Sequence, residues 1–141
     1  MNRVLIDTDV VSYLFKNDTR SELYRSVLLG KLILLSFMTV AELHYGAVKD
    51  SWGSERQKKL RDWIRNNFVV VPYNDELCRE WARVRCESES CGRPISHADA
   101  WIAATASLLQ IPLITHNAKH FEVLSCVRVL TVQDAELFPD G

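Results

Sequence analysis

Five oxygen-bearing side chains stand where a folded protein ordinarily keeps apolar ones. Asp7 closes the apolar run Val4-Leu5-Ile6, with Asp9 as its one charged companion as far as Phe15. Glu42 is the only formally charged residue from Leu32 to Val48, and Asp99 the only one from Ile95 to Ile111. Asn117 follows the apolar pair Leu113-Ile114 by a few residues. A carboxylate in such surroundings is costly to ionise unless it is paired, hydrogen-bonded or bound to a cation, and these segments bring no Lys or Arg of their own. If Asp7, Glu42, Asp99 and Asn117 converge, they form an oxygen-rich pocket suited to hard Mg²⁺ or Mn²⁺ rather than zinc. A cation of that kind binds phosphate and acidifies water, the chemistry of in-line attack on phosphorus.

Each acid also has a purely structural reading. Thr39-x-x-Glu42 and Ser96-x-x-Asp99 fit the capping-box pattern, in which the acid satisfies a backbone N–H at a helix start. Asp9 can likewise serve as the cap of the first helix. Capping does not account for Asp7, which ends a strand, and the joint placement of the acids is what favours a site.

The elements that must position them alternate. Arg3 to Ile6, Leu32 to Leu35, Phe68 to Val71, Leu113 to Thr115 and Val127 to Val132 read as short buried strands. Between them Thr8 to Lys16, Ser21 to Leu29, Thr39 to Val48, Glu55 to Asn66, Asp75 to Ser88 and Ser96 to Leu109 carry helical periodicity or good helix formers. Strand and helix in turn predict an α/β fold, a parallel sheet covered by helices, with the ligand edge at the carboxyl ends of the strands. The tail after Val132 adds at most a helical turn. The Asp50 to Ser54 and Ser90 to Pro94 segments read as short loops, and 141 residues suit a single domain spanning 1–141.

Seventeen Lys and Arg against eighteen Asp and Glu leave a formal charge of -1, so any polyanion has to be met by a local patch. With no signal-peptide layout and no apolar run of the ~20 residues a bilayer span needs, a cytoplasmic address is expected. Cys78, Cys86, Cys91 and Cys126 contain no Cys-x-x-Cys pair and read as free thiols.

The stretches Leu5-Ile6-Asp7-Thr8-Asp9-Val10-Val11, Ser36-Phe37-Met38-Thr39-Val40-Ala41-Glu42-Leu43 with Gly46, Asp99-Ala100-Trp101-Ile102-Ala103-Ala104-Thr105-Ala106, and Leu113-Ile114-Thr115-His116-Asn117 with Phe121 resemble the PIN-domain ribonucleases, and among them the VapC toxins of bacterial toxin–antitoxin pairs. The resemblance covers nearly the whole chain in order. It implies a three-layer α/β/α sandwich with Asp7, Glu42 and Asp99 as acidic metal ligands, Asn117 where the family often has a fourth acid, and Thr8 and Thr115 as polar neighbours of the metal. It further implies Mg²⁺- or Mn²⁺-dependent endoribonuclease activity, an RNA substrate, a cognate antitoxin and a homodimer. His120 stands where the family often has another acid and is given no role.

Two rivals remain in other classes. Asp7-Thr8-Asp9-Val10 also fits the nucleophile motif of haloacid-dehalogenase-like phosphatases, without the downstream Lys and paired acids that would complete it. A non-catalytic module of the same fold is favoured only by Asn117. His44, His97, His116 and His120 read as satisfied polar side chains, Arg56, Lys58, Lys59, Arg61 and Arg65 as a solvated helix face with Leu60, Trp63 and Ile64 inward, and Trp52, Trp63, Trp81 and Trp101 as core or interface anchors.

Overall fold

Strands that are apolar at every position, not at every second one, must be covered on both faces. In the computed structural model, which describes residues 2–131, β1 (Arg3–Ile6) alternates its side chains between two separate cores. Val4 and Ile6 enter one core, together with Val10, Val11, Tyr24, Leu60 and Ile64, while Leu5 enters the other with Leu77, Val84, Ile102 and Phe121. The strands β2 (Leu32–Ser36) and β4 (Leu113–Ile114) divide in the same way, Leu34 and Leu113 to one side and Leu35 and Ile114 to the other. The result is a sheet between two helical layers, the three-layer α/β/α sandwich anticipated from the alternation.

All pairings are parallel, and with β3 (Val69–Val71) and β5 (Val129–Leu130) the spatial order is β3-β2-β1-β4-β5. The helices are α1 (Thr8–Lys16), α2 (Glu22–Leu28), α3 (Phe37–Lys49), α4 (Ser54–Asn67), α5 (Asp75–Ser90) and α6 (His97–Leu109). From β1 the chain builds outward through β2 to β3, then returns to the other side of β1 to lay down β4 and β5. The order therefore reverses between β1 and β4, and at such a switch point the loops leaving the carboxyl ends of two neighbouring strands part and open a crevice.

Three expectations need correction. β3 is an exposed edge, not a buried strand, with Val69 47% and Val70 38% accessible, because nothing pairs its outer side among the described residues. Helix α3 starts at Phe37, two residues before Thr39, since Ser36 is its N-cap and accepts from the Met38 N–H at 3.0 Å. β5 is confined to Val129–Leu130, and the expected turn after Val132 lies outside the described residues.

The basic helix α4 turns Leu60 and Ile64 into the core, as its periodicity required. Truncation at the centre of the sheet reads out how far both layers depend on it: Leu5→Ala, at a side chain with no accessible surface, should cost about 2–5 kcal/mol in a denaturant titration. A loss under about 1 kcal/mol would show that Leu5 is not held between the layers.

Candidate active site

Asp7 is the residue after β1, and its side chain does two things at once. Oδ1 accepts from the Thr8 N–H at 2.8 Å, making Asp7 the N-cap of α1, and Oδ2 accepts from the Thr115 hydroxyl at 2.7 Å. The cap of the first helix is thus Asp7, not Asp9. Thr115 follows β4, the neighbour of β1 across the switch point, so a single hydrogen bond ties together positions 108 residues apart in the chain. The same hydroxyl accepts from the Asn117 N–H at 3.0 Å and so fixes the turn that follows.

Asp9 lies in the first turn of α1 and faces the same crevice. It accepts from the Val10 N–H at 2.7 Å and from the Asn117 side-chain amide, also at 2.7 Å. Asn117 is thereby brought to the cluster through its amide nitrogen, with Asp9 standing as the additional carboxylate that position 117 lacks. Asp9 is the functional candidate the sequence reading set aside. Its isolation beside Asp7 was the available signal, and the equally good local explanation as a cap concealed it.

Glu42 is in the second turn of α3, too far along to cap that helix. Its Oε1 accepts from the Thr8 hydroxyl at 2.7 Å, and Thr8 also lies 3.1 Å from the buried Thr39 hydroxyl. The box Thr39-x-x-Glu42 is therefore not a cap. Ser96, by contrast, does cap α6, accepting from the Asp99 N–H at 3.1 Å, while the Asp99 carboxylate is left free to reach His120 Nδ1 at 3.2 Å. His120 belongs to a 3-10 turn, Ala118–His120, in a stretch that reads as loop from sequence, and it thus gains a contact that the sequence did not suggest. His116 is held from the other side, its Nδ1 sharing a 2.6 Å hydrogen bond with the Tyr24 hydroxyl.

The carboxylates feel one another. Asp7 is raised to about 7, chiefly by burial and then by the neighbouring Asp9 and Asp99, against the opposing hydrogen bonds from Thr115 and Thr8. Asp9 and Glu42 are raised too, in both cases chiefly by burial, and Asp99 and Asp9 add to the rise at Glu42. Asp9 and Asp99 thus both oppose the ionisation of Asp7, the most buried carboxylate of the group. Among the described residues no three acids or histidines already converge on one point. Each is held instead by a hydroxyl, amide or imidazole neighbour. A donor set of one buried and three half-buried, mutually repelling carboxylates nonetheless has the chemistry of a site for a hard divalent cation, and Asp7, Asp9, Glu42 and Asp99 are the residues that could hold one.

Thr115 offers a direct check on this coupling. Hydrogen bonds to charged groups contribute about 1.5–3 kcal/mol, so Thr115→Val should lower kcat/KM at least tenfold and move the acid limb of the pH profile upward. An unchanged profile would mean that Thr115 does not set the ionisation of Asp7.

An α/β/α sandwich with acids gathered at the carboxyl edge of a parallel sheet defines a class, and comparison with known proteins narrows it. The family profile described as "PIN domain" matches residues 4–125. Ribonuclease VapC1 of Haemophilus influenzae strain R2866 is 32% identical over 84% of this chain and 89% of its own length, and the tRNA(fMet)-specific endonuclease VapC of Shigella flexneri is 27% identical over 91% and 96%. The structure of VapBC-1 from nontypeable Haemophilus influenzae superposes with a TM-score of 0.79 at 27% identity, covering 93% of this chain and 98% of that one. The chain belongs to the PIN-domain family, among the VapC ribonucleases.

Proposed function

We propose that this chain is the toxin of a two-protein pair, an endoribonuclease that hydrolyses RNA phosphodiester bonds with Mg²⁺ or Mn²⁺ and is held inactive by a cognate antitoxin. The observation that carries this reading is the placement of Asp7, Asp9, Glu42 and Asp99, from three separate segments, at the edge where the sheet reverses order, close enough for Asp9 and Asp99 to act on both Asp7 and Glu42. The names of the relatives support ribonuclease chemistry, and the toxin–antitoxin complex that superposes on this fold supports the antitoxin.

In this reading Asp7, Asp9, Glu42 and Asp99 would hold the cation, which would supply Lewis-acid polarisation of phosphate and acidification of water. The protein's own work is positional. Thr115 fixes Oδ2 of Asp7, Thr8 fixes Glu42 and Asn117 fixes Asp9, so the oxygens reach the substrate already oriented. His120 restrains Asp99 in the same way. The phosphatase rival is weakened because the side-chain partner of Asp7 across the switch point is the Thr115 hydroxyl, and its charged neighbours Asp9 and Asp99 are acids. The non-catalytic module is weakened because Asp9 replaces the charge that Asn117 omits.

The proposal includes self-association as a homodimer and a cytoplasmic site of action. Among the described residues no helix is long and apolar enough to cross a membrane.

The test is cleavage of RNA by purified protein with Mg²⁺ or Mn²⁺, with and without chelator, followed by analysis of the ends. Metal-dependent cleavage leaving 5′-phosphate and 3′-hydroxyl ends is expected. Ends carrying 2′,3′-cyclic phosphate would instead assign the chemistry to a histidine mechanism, and hydrolysis of small phosphomonoesters alone would favour a phosphatase.

A further inference from the structure

The acid cluster repels the polymer it is proposed to cut, and a chain of net charge -1 gives no general attraction to offset this. Cations near the crevice have to draw the RNA in. Lys16, the basic face of α4 and the pair Arg93 and Lys119 are the candidates, Arg20 being held by Asp18 at 2.8 Å. Lys16 lines a hollow of about 90 Å³ with Thr8 and Glu42, but Asp50 lines it too, so acids outnumber the single cation there. On α4, Arg56 is spent over the Trp52 ring at 3.6 Å, and Lys58, Lys59, Arg61 and Arg65 do not line the hollows that open on the acids.

The third group is placed differently. A hollow of about 380 Å³ between the loop that precedes α6 and the 3-10 turn after β4 is lined by Arg93, Ser96, Asp99, Lys119 and His120 among others. Lys119 and His120 also line a cleft of about 700 Å³ with Tyr24, His116 and Asn117. Lys119 therefore stands on the ridge between two openings, one containing Asp99 and the other Asn117. His120 is engaged with Asp99, whereas Lys119 is exposed and has no ion-pair partner among the described residues. Arg93 meets Glu122 at 3.5 Å with both side chains more than half exposed, a pair too weak to withhold the guanidinium from a phosphate.

We propose that Arg93 and Lys119 form a subsite for the RNA phosphodiester adjoining the one that is cut, the guanidinium gripping two oxygens and the ammonium acting as a point charge. This rests on the nuclease reading above. It assigns RNA attraction to the rim beside Asp99 and not to the more conspicuous basic face of α4.

The experiment measures binding of a fluorescently labelled short single-stranded RNA by anisotropy, in chelator so that nothing is cut, over a range of salt. Arg93→Ala/Lys119→Ala should weaken binding about five- to tenfold at low salt and reduce the slope of log affinity against log salt by about 0.7, the contribution of one phosphate on a single strand. With metal present, the double variant should raise KM for that strand and leave cleavage of a dinucleoside monophosphate, which has only the scissile phosphate, at the wild-type rate.

Wild-type affinity and slope in the double variant would overturn the subsite, as would an equal loss from Lys58→Ala/Lys59→Ala/Arg61→Ala. An equal loss on the dinucleoside monophosphate would show that the substitutions merely disturb the acids. A wild type that binds RNA through Arg93 and Lys119 yet cuts none would sink the nuclease reading alone, and one that cuts normally after both substitutions would sink the subsite alone.

Discussion

Asp7→Asn should reduce RNA cleavage by at least about a thousandfold while leaving the metal-free protein as stable as the wild type, or more so. Catalytic loss and gain in stability come from the same fact. The side chain is 6% exposed, flanked by Asp9 and Asp99, and its hydrogen bonds from Thr8 and Thr115 do not fully offset burial. An amide keeps an oxygen for the Thr8 N–H, and its nitrogen can donate to Thr115 Oγ1, so both local contacts survive in altered form. What disappears is a buried negative charge among other negative charges. Measured in parallel, activity and thermal melting separate the alternatives: a variant that unfolds would mark Asp7 as structural, and one that keeps cutting would remove it from the chemistry.

The pH dependence of stability has a definite sign. Asp7 titrates near 7 in the folded chain and in the ordinary carboxylate range when unfolded. Below that ordinary range both states carry the proton and the group contributes nothing. As pH rises from about 4 to 7 the unfolded chain releases its proton first, so folding loses stability across this window, on the order of 4 kcal/mol, and the deficit stays constant above it. Asp9 and Glu42, raised in the same direction, add to the trend. The metal-free wild type should therefore melt higher at mildly acid pH than at pH 8, and Asp7→Asn should flatten that difference.

How much of this could be read before folding differs from residue to residue. The uninterrupted apolar strands around Leu5, Leu34 and Leu113 declared burial on both faces, and strand–helix alternation did the rest, so the parallel sheet and its ligand edge were legible. That β3 is an edge was not, because Val69-Val70-Val71 has the composition of a central strand and only the spatial order leaves it uncovered. Asp7, Glu42 and Asp99 stood out as charges in apolar segments. Asp9 stood out with them but read equally well as a cap, and His120 carried no signal, because their partners are tertiary: Asn117 lies 108 residues from Asp9, and His120 meets Asp99 only once the segment after β4 coils into a turn. The Thr39-x-x-Glu42 pattern misled for a related reason. A capping motif is a statement about where a helix begins, and Ser36, three residues earlier, takes that place.

Adding Mg²⁺ or Mn²⁺ to metal-free protein should raise its melting temperature, and the size of the rise should depend on pH. Only the folded chain gathers the four acids, so the ion binds one state and stabilises it by about 2.7 kcal/mol at a hundred times its dissociation constant. For a chain of this length that is roughly 5–10 °C, since each kcal/mol moves the midpoint by about 2–4 °C. Coordination needs Asp7 without its proton, and Asp7 is about half protonated near pH 7, so affinity and the accompanying stabilisation should both grow from pH 6 to pH 8. That direction is opposite to the intrinsic trend of the metal-free chain, so the curves with and without metal should lie close together at mildly acid pH and move apart toward alkaline pH. Asp99→Asn and Asp7→Asn should each abolish most of the metal-induced rise while leaving the fold intact. A rise that is equally large in both variants would place the ion elsewhere on the molecule and break the link between the acid cluster and the chemistry.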